Sequence, residues 1–253
     1  MGHGAKEGRV IGRALRAHAR GFARDVVLFW VTVAGLVLSL SVATNIPPEL
    51  ADAPPDVRAA FAAPYEAVLA TYGAVLAAAY GSFRYTVDRR DGVVAQRLML
   101  QPRWATLLVR VPASAVGGAI VALAGAVGGR AALSVAMGGL PQEWSSLGST
   151  LGLGALAGLW GLGVGIVVQA HLVALFVAPM SMSVAVLVVI FWRSGAVYLP
   201  LLAMLEALRF DVSALGILPD EGIDSQTAGL VTAAWVLGAL VAAGLSFMNR
   251  DVK

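Results

Sequence analysis

The chain has 253 residues, of which 58% are hydrophobic and 13% are charged, and its mean hydropathy is +0.80. Soluble globular domains carry about 25% charged residues, so this composition excludes a soluble domain and predicts an integral membrane protein. At ~20 residues per membrane span, helices and connections use up the whole length, and we expect one membrane domain over residues 1–253. Cysteine is absent, which excludes disulfides, thiolate nucleophiles and cysteine-ligated metals.

Six stretches are long and apolar enough to cross a bilayer, and each must be helical because lipid cannot hydrogen-bond a free backbone amide. The fourth and fifth stretches are nearly continuous, and only Gln169 and His171 mark a turn between them. A signal peptide cleaved after Ala43 is the alternative for the first stretch, but the basic region before it is long for a signal. The sequence predicts an all-α polytopic fold with six transmembrane helices, at residues 26–43, 67–83, 105–128, 147–168, 173–191 and 228–248.

The distribution of basic residues predicts the orientation. With the N-terminus inside, 14 of the 18 Lys and Arg residues fall on the cytoplasmic side, as the positive-inside rule requires. Both termini and residues 84–104 are then cytoplasmic, and the expected location is the cell membrane. Because these basic residues lie beside apolar spans, the net charge of +3 needs no nucleic-acid partner.

The segment before the first span carries arginines at intervals of three or four residues, which places them on one stripe of a helix. This pattern predicts an amphipathic interfacial helix over residues 1–25 whose cations bind lipid headgroups. A positive-inside tail without that role is the alternative. The predicted headgroup-binding residues are Arg9, Arg13, Arg16 and Arg20.

Two connections on the opposite side differ in character. Residues 45–64 carry five prolines, which favours an extended or turn-rich connection. Residues 195–210 are apolar but cover only ~24 Å as a helix, less than the ~30 Å hydrocarbon core. We therefore expect a short re-entrant helix within residues 195–225, before the last span. Glu206 and Arg209 are three residues apart and are expected to pair.

The sequence lacks the common catalytic and nucleotide-binding motifs. It has no GxxxxGK[ST] phosphate loop, no HExxH and no GxSxG, so ATP hydrolysis, zinc peptidase and serine hydrolase chemistry have no visible site. Residues 91–97 approach the opening of the CDP-alcohol phosphatidyltransferase motif, but the further aspartates of that motif are missing. Glycines at GxxxG spacing in residues 152–165 indicate close helix packing. We expect no enzyme activity, no bound metal and no cofactor in this chain.

The order of these features resembles the ABC-2 type permease family, the membrane subunits of type V-like ABC exporters. The resemblance covers most of the chain. It rests on the basic N-terminal helix, six spans with both ends inside, an arginine-bearing loop ending in Leu100-Gln101-Pro102-Arg103, the short outward segment before the last span, and a terminal Phe247 to Asp251.

The resemblance implies a coupling helix at residues 88–102 that docks on a separate ATPase subunit. As one continuous helix, this segment would place Arg90 and Arg97 on nearly the same face with Val93 and Val94 between them, and Pro102 would end it. A solvated loop bound to headgroups is the alternative. The coupling residues implied are Asp88, Arg89, Arg90, Asp91, Val93, Val94, Arg97, Leu98 and Pro102.

The family resemblance also implies the partners and the mechanism. ATP and Mg would be bound by an ATPase dimer, and six spans, half of the family's usual twelve, would pair with a second permease copy or a similar permease. The cargo expected is hydrophobic or amphipathic: a drug, a peptide or a lipid-like molecule. Polar residues inside the membrane domain are candidates for the pathway. They are Thr71, Tyr72 and Tyr80 in the second span, His171 at the turn between the fourth and fifth spans, and Glu206 in the short re-entrant helix.

Two alternatives belong to other functional classes. An ion-gradient-driven secondary transporter would need no ATPase, but such proteins usually show repeated halves or buried charges, and no repeat relates residues 1–128 to residues 129–253. An accessory or immunity protein of the membrane would share the hydropathy without a reason for the patterned loop.

Overall fold

The computed structural model describes residues 25–138, 146–218 and 220–249, and within these ranges the fold is all-helical and has no strand. Five helical segments are long and apolar enough to cross a membrane, so the fold is that of a multi-pass membrane protein. The predicted interfacial helix over residues 1–25 lies outside the described residues, and so do Arg9, Arg13, Arg16 and Arg20. In chain order the helices are α1 (Val26–Ser41), α2 (Pro55–Arg90), α3 (Val93–Leu100), α4 (Arg103–Leu108), α5 (Arg110–Ala136), α6 (Leu147–Val168), α7 (His171–Phe191), α8 (Arg193–Ala196), α9 (Pro200–Ala207) and α10 (Ser225–Asn249).

The long helices run alternately up and down, which gives the bundle two distinct ends. At one end, Arg103 at the start of α4 donates a hydrogen bond to the carbonyl of Met248, near the end of α10, at 2.9 Å. At the other, Arg58 near the start of α2 donates one to the carbonyl of Met137 after α5, at 2.6 Å. We call the end that carries α3 the loop end and the other the far end.

Five of the six predicted spans fall within helical segments long and apolar enough to cross a membrane. The α2 helix, however, begins 12 residues before the predicted 67–83, and α5 ends eight residues after the predicted 105–128. The α6 helix covers the predicted 147–168, and α7 begins at His171 after a break at Gln169, whose φ of 61° is left-handed. Only Val109 separates α4 from α5, so Arg103–Ala136 is one spanning segment in length and composition. The first predicted span is the exception, because α1 has 16 residues and covers only ~24 Å.

The connection at residues 45–64 was predicted as extended or turn-rich, and this is correct only for its first half. A 3-10 turn at Pro48–Asp52 is followed directly by α2, so the predicted extended segment is wrong from Pro55 onward. Pro55 occupies the first turn of α2, where its missing N–H costs no hydrogen bond. Pro64 lies inside the helix, which continues through it to Arg90.

Glycines hold the centre of the bundle together. A Cβ at Gly161 of α6 would overlap the carbonyl oxygen of Ala78 in α2, and a Cβ at Gly118 of α5 would overlap that of Gly154 in α6. The backbones of these three helices therefore approach more closely than any larger side chain would allow. The interpretation of the glycines as packing residues is confirmed for α6.

Between α7 and α10 the chain forms two short helices, α8 and α9, separated by a turn. Residues 201–205 of α9 are fully buried against α7 and α10. The hydrophobic core there also includes Trp160 of α6, whose ring meets that of Trp235 edge-on at 5.6 Å. The α9 helix is thus part of the hydrophobic core between α7 and α10.

Candidate functional site

The segment predicted as one coupling helix is divided into two elements. The α2 helix ends at Arg90, Gly92 adopts a left-handed φ of 73°, and α3 runs from Val93 to Leu100. Because the helix is interrupted at Gly92, Arg90 and Arg97 belong to different helices, and the prediction that they share one helical face is wrong. The prediction that the segment ends before Pro102 is confirmed, since Gln101 is already extended.

Asp88 is buried rather than offered to a partner. Its side chain is 5% exposed, and it forms an ion pair with Arg84 one turn earlier on α2. Its second oxygen lies 2.9 Å from Nη1 of Arg110, which is 3% exposed at the start of α5. One buried carboxylate thus joins two guanidinium groups on two helices, and a surface role for Asp88 is excluded.

The ion pairs continue from Arg84 to the start of α1. Arg84 Nε lies 2.6 Å from Oδ2 of Asp25, and the hydroxyl of Tyr80 donates to the same oxygen at 3.1 Å. The other oxygen of Asp25 accepts hydrogen bonds from the backbone N–H groups of Val27 and Leu28, so it caps α1. We call this set the Asp88 network: Asp25, Tyr80, Arg84, Asp88 and Arg110.

The charges of the Asp88 network balance, since two carboxylates face two guanidinium groups. Arg110 also lies over the ring of Tyr85, with its Cζ 5.3 Å from the centroid. Arginine stays protonated in proteins, so the network is suited to holding helices together rather than to transferring protons. The adjacent cavity, lined by Tyr80, Arg84 and Arg110, measures about 10 Å³ and is too small for an organic ligand.

The remaining coupling residues divide into a buried face and an exposed face of the loop end. Val94 is fully buried, and Leu98 packs against the same cluster, which contains Tyr85 and Phe247. Arg97 is partly buried; burial lowers the pKa of its guanidinium, and nearby Asp88 opposes that shift. Arg89 and Val93 are half-buried, whereas Arg90, Asp91 and Pro102 are exposed.

The predicted pathway residues do not form one site. Tyr80 belongs to the Asp88 network, and His171 at the start of α7 lies against the ring of Phe83, with centroids 4.5 Å apart. Thr71 is buried and its neighbour Tyr72 is exposed. Glu206 lies at the far end in a separate cavity, and within the described residues it forms no ion pair with Arg209, so the predicted pair is not formed.

Three members of the Asp88 network were not predicted as functional residues: Asp25, Arg84 and Arg110. The two arginines fit the pattern of positive-inside charges. A signal for their burial was available, since Arg110 lies inside a predicted span and Arg84 precedes Asp88 by one helical turn. What the sequence does not show is that α2 and α5 bring these charges to one point.

No family model matches this chain, and no curated protein matches it. Within the described ranges, no three His, Asp or Glu side chains come together as metal ligands. The site is therefore defined by its own geometry: a buried charge network beneath a short helix at the loop end.

Proposed function

We propose that this chain is the membrane subunit of an ATP-driven exporter of the ABC-2 type, with a separate ATPase dimer docking on α3. One observation carries the proposal. At the end of α3, Met99 and Leu100 are 86% and 84% exposed. This short helix lies outside the membrane-spanning segments and follows the exposed charges of Arg90 and Asp91 in the chain. Neighbouring exposed apolar side chains outside the spans are typical of a surface that a partner protein covers.

The opposite face of α3 is suited to passing a movement into the bundle. Val94 is fully buried and Leu98 packs with it against Tyr85 of α2 and Phe247 of α10. Asp88, five residues before α3, binds Arg84 and Arg110 and so connects α2 with α5, and through Asp25 with α1. A displacement of α3 by an ATPase would therefore reach four helices through packed side chains.

The proposed topology has six spans, with both termini and residues 84–104 on the cytoplasmic side of the cell membrane. The length of α1 supports the sixth span. Its 16 residues continue into a 3-10 turn at Val42–Asn45, and together they extend to roughly 32 Å, the thickness of the hydrocarbon core. Large apolar side chains on α1 are exposed as lipid-facing ones would be: Phe29, Trp30, Val37 and Leu40.

The re-entrant segment of the proposal is α9. Its residues 201–205 are fully buried against α7 and α10, which supports a segment that enters and leaves the bundle at the far end. A second permease copy, identical or similar, would complete the passage, and the ATPase dimer would hold ATP and Mg. The apolar spans favour a hydrophobic or amphipathic cargo.

Site-specific photo-crosslinking in cells tests the docking surface. A photoreactive phenylalanine analogue at position 99 should capture a phosphate-loop ATPase, identified by mass spectrometry. The matched control is position 135, since Val135 is 84% exposed but lies at the far end. Capture of the ATPase from position 135 alone, or from neither position, would contradict the proposal.

A pair of variants then tests the contact itself. Arg90→Glu with Met99→Glu should abolish co-purification of the ATPase while leaving the chain inserted and folded, because both side chains are exposed. The conservative pair Arg90→Lys with Met99→Leu should retain the complex. Arg97→Glu is unsuitable, because it would place a carboxylate near buried Asp88. A complex that survives the charge-changing pair would exclude this docking surface.

A secondary transporter is the second candidate, and the buried charges of the Asp88 network favour it only for a coupling ion other than a proton. Buried charges within membrane segments are typical of ion-coupled carriers. Transport by the purified chain in proteoliposomes, driven by an ion gradient without ATP, would support this candidate and overturn the first.

A further inference from the structure

A cavity of about 320 Å³ opens at the far end of the bundle, between the end of α9, the 3-10 turn at Val212–Leu215 and the start of α10. Its volume lies within the range of sites for small organic molecules. The side chains that matter for its chemistry are three carboxylates and three apolar groups: Glu206, Asp211, Asp224, Phe210, Ile217 and Ile223.

Two of the three carboxylates are engaged in holding local structure. Asp211 accepts a hydrogen bond from the backbone N–H of Ser213 at 3.0 Å. Asp224 caps α10, accepting from the N–H groups of Gln226 and Thr227 and from the Thr227 hydroxyl. These bonds lower the pKa of both aspartates, so both stay charged at neutral pH.

Glu206 differs from the two aspartates. Within the described part of the chain, no hydrogen bond or ion pair of its carboxylate is found, and no Lys, Arg or His lines the cavity. Burial raises the pKa of Glu206, and the neighbouring charge of Asp211 raises it further. A cation placed beside Glu206 would relieve both effects, because it would partner the carboxylate and offset the negative field.

We propose that this cavity binds an organic cation, with its ammonium group against Glu206 and its apolar body against Phe210, Ile217 and Ile223. A metal ion fits less well, since it requires several oxygen ligands at once and the two aspartates already use oxygens in capping bonds. The inference goes beyond the proposed function and does not depend on it, because it concerns binding to this chain without an ATPase.

The binding test uses the full chain in lipid nanodiscs and benzyltrimethylammonium as the probe. Neopentylbenzene, a neutral molecule of the same shape, is the matched control probe, and empty nanodiscs give the background from partitioning into lipid. We expect saturable binding of the cation and binding of the neutral probe that is at least about fivefold weaker. Equal binding of the two probes, or no saturable binding of the cation, would overturn the proposal.

Variants then place the site at Glu206. Glu206→Gln keeps the volume and removes the charge, so it should weaken cation binding at least about fivefold and leave the neutral probe unaffected. Glu66→Gln is the control, since Glu66 is also at the far end but pairs with Arg130 at 2.6 Å. Unchanged affinity in Glu206→Gln would show that the cation binds elsewhere.

A steric variant tests the same site without removing the charge. A Cβ at Gly222 would lie 2.8 Å from Oε1 of Glu206, so Gly222→Ala should push the carboxylate aside. We expect weaker cation binding with an unchanged elution profile on size exclusion. Should Glu206→Gln fail to fold, this variant decides the question, and wild-type affinity in Gly222→Ala would contradict the proposal.

Discussion

The two ends of the bundle treat their carboxylates in opposite ways. At the loop end, Asp25 and Asp88 face Arg84 and Arg110, and each carboxylate has a cation within 2.9 Å. At the far end, Glu206 faces a cavity that Asp211 and Asp224 also line, and among the residues that the structure describes no cation lines it.

This difference indicates a structural role for the paired carboxylates and a binding role for Glu206. A buried charge whose partners are supplied by the protein holds elements together, and removing one partner leaves the other without compensation. A charge without a protein partner, beside an open cavity, does not hold elements together and is suited to binding a ligand. Stability measurements should therefore separate the two ends.

The largest effect is expected at the loop end, from Asp88→Asn. Arg110 is 3% exposed and would keep its charge without its carboxylate, which should cost about 3–5 kcal/mol of unfolding free energy. The measurement is the thermal unfolding midpoint of the detergent-solubilised protein. Asp91→Asn is the control, because Asp91 is exposed three residues later. Equal unfolding midpoints for the two variants would contradict a stabilising role for the ion pairs at the loop end.

A smaller effect is expected between the two ends, where α2 and α6 touch. A methyl group at Gly161 would overlap the carbonyl oxygen of Ala78, so Gly161→Ala should lower the unfolding free energy by about 1–3 kcal/mol. Gly238→Ala on α10 meets nothing within 4 Å and should be neutral. If the two variants unfold at the same temperature, the close approach of α2 and α6 does not contribute to the stability of the bundle.

A substitution in the turn before α3 should lower the unfolding free energy by less than Gly161→Ala does. Gly92 has a φ of 73° with no atom near a Cβ built there, so Gly92→Ala tests backbone strain without a steric clash. The expected loss is about 1 kcal/mol. Gly148→Ala also meets open space, but without a positive φ, and it should show no loss. Chemical denaturation of both variants gives the comparison, and a stabilised Gly92→Ala protein would contradict the left-handed turn.

The smallest effect on stability is expected from Glu206→Gln at the far end, and at neutral pH its sign is opposite to that of the other variants. Since burial raises the pKa of Glu206, the folded state holds that proton more tightly than the unfolded state does. Its contribution to stability is therefore present at low pH and lost as the pH rises through the raised pKa. Glu206→Gln should remove this dependence and leave the neutral-pH midpoint unchanged or slightly higher. The charged groups facing Glu206 are Asp211 and Asp224, so scans above pH 5 should keep both ionised.

Much of the fold could be predicted from hydropathy. The break between α6 and α7 was visible as two polar residues in an apolar run, because each half is long enough to span by itself. The turn at Gly92 was also present in the sequence, as an Asp-Gly pair, but the apparent helical spacing of Arg90 and Arg97 was given more weight. The backbone conformation available to glycine decided that case.

The candidate site could be predicted much less well. Its location near residue 88 was predicted correctly. Asp88 itself was predicted as an exposed contact, whereas in the structure it is a buried partner of two arginines. The reason is physical: a charge at a helix end is stabilised equally by water or by a charge on another helix, and sequence does not distinguish these. Glu206 was found as a polar residue in an apolar segment, but its cavity depends on the loop after α9.

The two-residue link between α6 and α7 limits how these helices can move. Gln169 and Ala170 connect the end of α6 to the start of α7 at the loop end. The two helices are therefore held together at that end. Any gap between them can widen only toward Leu147 and Phe191, at the far end. An opening along this seam would therefore face one side of the bilayer and stay shut toward the other.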